Sequence, residues 1–169
     1  YRESGSRWWF RGHSRADWQV HPRVWREHSQ EKERCLAHEF RARAGTRHSH
    51  HPAFDDYAGW LALMQHYGVP TRLLDWTRAP IVAMFFAVHP SMRPAGSTDA
   101  TDACIWAIAP GALNHSQGLE PLHYTLNAGD LHEFLRPAVK ASHCREIVAA
   151  AVSFESDIRM QVQQGVFTI

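Results

Sequence analysis

Hydrophobic and polar positions change their spacing several times along the chain, and each change predicts an element. Residues 7 to 12, RWWFRG, are an aromatic run stopped by glycine, and DWQVHP at 17 to 22 is a second short stretch bounded by polar residues and proline. They predict two short strands joined by a loop. From about Val24 to Ala44, charged residues surround Trp25, Cys35, Leu36 and Phe40 at helical spacing, the pattern of a surface helix, which HSHHPAF breaks. FDDYAGWLALMQHY at 54 to 67 places Tyr57, Trp60 or Leu61, Met64 and Tyr67 on one stripe. Gly68 suits a left-handed position after the helix, and Pro70 prevents its continuation. RLLDWT predicts a short extended segment. Pro80 fits a first helical position, with Thr77 upstream as a cap, and opens IVAMFFAV, apolar all round and so expected to be buried. MRPAGSTDATD reads as a surface loop and ACIWAIAP as a strand. Residues 111 to 130 read as irregular, 131 to 152 as mostly helical, and IRMQVQQGVFTI as a closing strand. Helices and strands segregate instead of alternating as βαβ units, which predicts one α+β domain over residues 1–169.

Composition narrows the function classes. A chain of 169 residues, 44% apolar and 11% aromatic, has enough apolar material for a single packed core. With 18 basic and 17 acidic residues the net charge is +1, so the electrostatic footprint of a nucleic-acid binder is missing and nucleic acid is disfavoured as a partner. Cys35, Cys104 and Cys144 are odd in number and far apart, which predicts a reducing, cytoplasmic setting without a disulfide framework. No run approaches the ~20 apolar residues of a membrane span, and YRESGSRWWF has no signal-peptide pattern. The chain opens on Tyr1 and closes on a strand-like VFTI, as a piece cut from a longer protein would.

The junction QHYGVPTRLLDWT, residues 65 to 77, is the densest candidate site. His66, Tyr67, Arg72, Asp75, Trp76 and Thr77 converge beside apolar walls, the usual makeup of a ligand pocket, and Thr77 stands near a helix N-terminus that favours an anion. The blander reading has Asp75 and Thr77 capping that helix while Arg72 pairs with Asp75. His13 and His66 are candidate general bases, since the unperturbed pKa of histidine lies close to neutral. The tract His48-Ser49-His50-His51 lacks a properly spaced metal partner, so no metal site is assigned. The aromatic, basic RWWFRGHSR has the composition of a stacking platform for single strands, but core packing accounts for its tryptophans. No Ser-His-Asp or Cys-His elbow is present.

WWFRGHSRADWQVHPRVWR, WLALMQHYGVPTRLLDWTRAPIVAMFFAV and RMQVQQGVFTI resemble the FRG domain family, whose signature is Phe10-Arg11-Gly12 here, over essentially the whole chain. FRG domains occur in bacterial and phage proteins, some linked to defence or toxin-like systems. A second similarity is to ADP-ribosyltransferases, which carry a first strand with Arg or His, a strand running into a helix, and a late strand with Glu or Gln. Arg11, LLDWT running into APIVAMFFA, and Gln163 fall in that order. The resemblance implies a split β core with flanking helices and NAD as substrate, with ADP-ribose passed to a macromolecule or NAD hydrolysed, in a toxin or anti-phage setting. Arg11, Asp75 and Gln163 are then catalytic, while Gly12, His66, Tyr67, Arg72, Trp76 and Thr77 bind the nucleotide. Splitting the nicotinamide–ribose bond passes through an oxocarbenium-like state, which needs the ring held, the diphosphate neutralised and the ribose fixed. The late strand shows Gln161, Gln163 and Gln164 without a Glu, so the facing negative charge falls to Asp75 or Glu155. DWT stands where the transferases have Ser-Thr-Ser, and only Thr77 keeps a hydroxyl. The competing expectation is a non-catalytic module that recognises a nucleotide or a partner protein. An acidic residue within reach of the ribose position favours the enzyme, and a pocket blocked by Trp76 or Arg72 favours the module.

Overall fold

A computed structural model describes residues 8–27, 29–47, 51–89, 102–121, 124–143, 146–152 and 164–169. The first aromatic run is strand β1 (Trp9–His13), followed by helices α1 (Arg23–Glu27), α2 (Gln30–Arg47) and α3 (Tyr57–His66). Strand β2 (Leu74–Thr77) leads into α4 (Pro80–Val88). The rest comprises β3 (Cys104–Ile108), α5 (Pro110–Ser116), β4 (Tyr124–Thr125), α6 (His132–Leu135), β5 (Ala150–Val152) and β6 (Gly165–Thr168). Among the described residues six strands form one sheet in the order β3-β1-β2-β6-β5-β4, parallel only between β4 and β5. The fold is a mixed α+β single domain.

Strand alternation divides the core. Trp76 pairs with Val166 across β2 and β6, and both belong to a cluster with Trp9, Leu74 and Ala150. Asp75 pairs with Phe167, which packs into the larger cluster containing Tyr57, Leu61 and Met64 of α3. Asp75 is therefore carried on the sheet face that looks toward α3.

Local signals account for α3 well. The Asp56 carboxylate accepts the Gly59 N–H at 2.8 Å, closing the first turn, and Gly68 takes φ +76° just past the end. Tyr57, Trp60, Leu61 and Met64 are buried as their spacing predicts, whereas Tyr67 is exposed.

Elsewhere tertiary context overrides the pattern. Among the described residues 17–22 form no strand. The predicted 24–44 helix is two helices, the second begun by Ser29, whose hydroxyl accepts the Lys32 N–H. Residues 111–116, expected to be irregular, belong to α5, which opens on Pro110 from the end of the predicted strand. The segment 131–152, expected to be helical, shows only short helical turns among its described residues, and Ala150–Val152 is a strand despite alanine's helix preference. Asn114 of α5 explains that strand in part: its amide donates to the Ala150 carbonyl at 3.1 Å and accepts the Ala150 N–H at 2.7 Å, as a neighbouring strand would.

The apolar helix α4 is also not what its composition predicts. Ala83 and Ala87 are its buried residues, while Ile81 and Val88 are 68% and 60% exposed and Met84 and Phe85 about half exposed. The reason is the closeness of its crossing over β1. A Cβ on Gly12 would run into the Ala83 carbonyl and lie 2.7 Å from the Ala87 nitrogen, so glycine faces alanines and the bulky side chains turn outward. Thr77 does not cap this helix. The N-cap is Ala79, whose own N–H donates to the Thr77 hydroxyl at 3.0 Å and fixes the turn out of β2.

Candidate functional site

β1 and β2 share one Cα pair, Phe10 with Thr77. Beside it a cleft of about 1170 Å³ opens between β1, β2, α3 and α4, slightly larger than the roughly 300–1,000 Å³ of most small-molecule sites. Arg11, Gly12, His66, Tyr67, Asp75, Trp76 and Thr77 line it, bringing together seven of the nine candidate site residues. Gln163 lies outside the described residues, although Gly165, two positions on, also lines the cleft.

Asp75 is the polar centre. Its carboxylate accepts the Gln65 side-chain amide at 2.6 Å, and the Gln65 carbonyl accepts the Thr71 hydroxyl at 2.8 Å. The Leu73 N–H donates to that hydroxyl at 3.3 Å, so Thr71 points its proton at Gln65 and the orientation of the Gln65 amide follows from the chain of bonds. Solvent reaches Asp75 through the open cleft. Protein nonetheless crowds its carboxyl closely enough for desolvation to raise the pKa, outweighing the lowering by Arg11 and by the Gln65 hydrogen bond.

Arg11 occupies the gap where β1 and β2 part. Its Nε donates to His13 Nε2 at 3.0 Å and its Nη1 to the Asp75 backbone carbonyl at 2.6 Å. Burial lowers its pKa while Asp75 raises it, and a guanidinium keeps its charge regardless. His13 is pushed down to about 4, first by burial and then by the charges of Arg11 and Arg26, and so is neutral at physiological pH. Because Nε2 accepts from Arg11, the imidazole proton resides on Nδ1. The lone pair a general base would use is already engaged.

The remaining candidates separate into walls and rim. Trp76 is buried and its indole N–H donates to the Thr168 hydroxyl at 3.0 Å, which makes it a fixed wall that leaves the cleft open. His66 and Tyr67 are exposed at the rim with their rings edge to face at 5.1 Å. Gly12 has its place explained by the α4 crossing.

Arg72 is the clear departure. It does not reach the cleft and does not pair with Asp75. It is 3% exposed and pairs with Glu33, which is 0% exposed. Arg72 Nη2 donates to Glu33 Oε2 at 2.6 Å, Nε reaches both carboxylate oxygens, the Arg72 backbone N–H donates to Oε1, and Nη1 donates to the Phe134 carbonyl at 2.7 Å. The charge spacing of α2 placed Glu33 among solvated residues, and nothing local marks it as buried.

Two cleft residues were missed by the sequence reading. Gln65 opens the junction stretch, and its position one helical turn beyond Leu61 is a weak signal. Arg26 lines the cleft too, but it is one basic residue among many and carries no local signal. Of the histidine tract, residues 48–50 lie outside the described residues, and His51 stacks on Trp60 with ring centroids 5.8 Å apart. Cys35 and Cys104 are free thiols, and among the described residues no helix is long and apolar enough to cross a membrane.

The FRG domain family model matches residues 6–95, a span that holds β1, β2, α3, α4 and every candidate site residue except Gln163. The chain belongs to the FRG domain family. No curated protein and no solved structure matches it.

Proposed function

We propose that the cleft binds NAD or a closely related nucleotide and that the chain cleaves the nicotinamide–ribose bond, passing ADP-ribose to a macromolecular acceptor or to water. The observation that carries this reading is the Asp75 carboxyl, open to the cleft, held by Gln65 and flanked by Arg11. A carboxyl with an upshifted pKa beside a fixed cation is a common arrangement for acid–base and electrostatic catalysis. In this scheme the glycosidic bond breaks with its electron pair going to the nicotinamide nitrogen, which leaves neutral. The Asp75 carboxylate faces the positive charge growing on the ribose and takes the proton of the attacking hydroxyl or water. Arg11 meets a phosphate and Gln163 holds the ribose. The adjacency of β1, β2 and β6 at the sheet centre supports an ADP-ribosyltransferase-like split core. Loss of cellular NAD by this route would serve a toxin or anti-phage effector.

The test is incubation with NAD and mass spectrometric detection of free nicotinamide and of ADP-ribosylated macromolecules. Wild type is expected to release nicotinamide, and Asp75→Asn to lose about 10²–10⁴-fold in rate with its melting temperature retained. Absence of both release and binding at millimolar NAD overturns the proposal. One observation favours the second reading, a recognition module: Arg11 already spends Nε and Nη1 inside the protein, as a structural arginine does. Nucleotide or protein binding without any nicotinamide release would select it.

A further inference from the structure

The cleft contains a second guanidinium that the proposed reaction does not use. Arg26, on α1, is anchored by one bond, from Nε to the His21 carbonyl at 3.0 Å, and its side chain is exposed. Among the described residues no carboxylate forms an ion pair with it. Among the described residues two acids line the cleft: Asp56 is occupied in capping α3, and Asp75 stands with Gln65 and Arg11. Arg11 in turn has hydrogen bonds from Nε and Nη1, and none from Nη2 among the described residues. Both arginines line the same cleft, and His13 lies against Arg11.

We infer that Arg26 and Arg11 together form an anion subsite for the diphosphate of a nucleotide, with Arg26 supplying its outer arm. The inference rests on the nucleotide reading of the cleft. Two like charges lining one cavity repel, and an anion with several acceptor oxygens between them would convert that repulsion into charge-assisted hydrogen bonds. The charge of Arg26 is felt at both Arg11 and His13, which locates it at this end of the cleft. His13, neutral and bonded to Arg11, orients the inner guanidinium without adding a third positive charge. A diphosphate lodged here leaves the ribose on the Asp75 side of Arg11.

Calorimetric titration of the 169-residue chain with ADP-ribose, ADP, inorganic pyrophosphate and adenosine tests the subsite. Arg26→Gln is expected to weaken the three diphosphates roughly tenfold and leave adenosine unchanged, with Arg26→Lys intermediate. Because the side chain is exposed, thermal melts should coincide with wild type. Equal affinities in wild type and Arg26→Gln overturn the subsite, as does a loss that adenosine shares. The two proposals fail separately. Nicotinamide release that is normal in Arg26→Gln, with an unchanged KM, removes the subsite and keeps the reaction. Diphosphate binding lost in Arg26→Gln without nicotinamide release in wild type keeps the subsite and removes the reaction. If wild type binds none of the diphosphates, the subsite falls, and nicotinamide release from NAD decides the reaction by itself.

Discussion

The Arg72–Glu33 and Arg11–Asp75 pairings each set an arginine beside an acidic residue, for opposite ends. Inside the molecule, the Glu33 carboxylate accepts from the Arg72 backbone and guanidinium, and a further donor of the same guanidinium meets Phe134. Together these bonds join α2, the entry to β2 and α6. In the cleft, Arg11 bonds the backbone carbonyl of Asp75 and leaves the carboxylate to Gln65 and to solvent. The inner pair offsets its desolvation with a dense set of charged hydrogen bonds, so it is structural. The outer pair is under-compensated, and its carboxyl is displaced upward in pKa. Incomplete satisfaction at a solvent-reachable carboxyl is what makes that site available for chemistry.

The largest expected effect tests the inner pair. Glu33→Gln leaves the Arg72 guanidinium buried without a carboxylate and should cost about 3–5 kcal/mol in denaturant unfolding, while nucleotide affinity of the folded fraction stays at the wild-type level. A loss below about 1 kcal/mol would make the two arginines equivalent and break the contrast, since that is the worth of a surface ion pair.

A smaller effect is expected at Arg11. Lysine cannot span His13 Nε2 and the Asp75 carbonyl at once, so Arg11→Lys should cost about 1–2 kcal/mol of stability. Nucleotide binding should weaken more than that change accounts for. Melts and NAD or ADP-ribose titrations run together read the split, and a purely thermal defect would move Arg11 into the same structural class as Arg72.

The smallest effect is a pH dependence carried by His13. Its folded pKa of about 4 lies below the ordinary 6.5, so the unfolded chain binds its proton first. The stability of the neutral, buried imidazole is fully present above pH 6.5 and declines as pH falls toward 4, by at most ~1.4 kcal/mol per pH unit. Asp75 has the opposite sign. Its raised folded pKa makes stability fall as pH rises through the interval above the ordinary carboxylate value. Asp75→Asn should therefore steepen the acid decline, and adding His13→Gln should flatten it. An unchanged slope in the double variant would show that the imidazole is not held neutral by this site.

Much of the candidate site was legible because one short stretch contained it. Gly68 and Pro70 end α3 for local steric reasons, and LLDWT is extended and alternates, so Asp75 and Thr77 share one face of β2 wherever that strand is placed. Arg72 was misread for an equally physical reason. Charge spacing along a helix reports solvent only on average, and no local rule shows that Glu33 will meet an arginine 39 residues away. The outward apolar face of α4 escaped likewise, because hydrophobicity reveals that a surface is costly to expose but not which side a close crossing at Gly12 will take.

What the sequence by itself determined were the features set by neighbours in the chain: β1 and β2 as short strands, the C-terminal end of α3, the FRG signature, and the crowding of polar groups between 65 and 77. Only the tertiary structure decided that Ala150–Val152 is a strand held by Asn114, that Gln65 orients Asp75, that Arg72 is structural and that Arg26 enters the cleft. Those outcomes depend on contacts between distant segments. The strength of each such contact comes from burial and geometry that no local propensity carries.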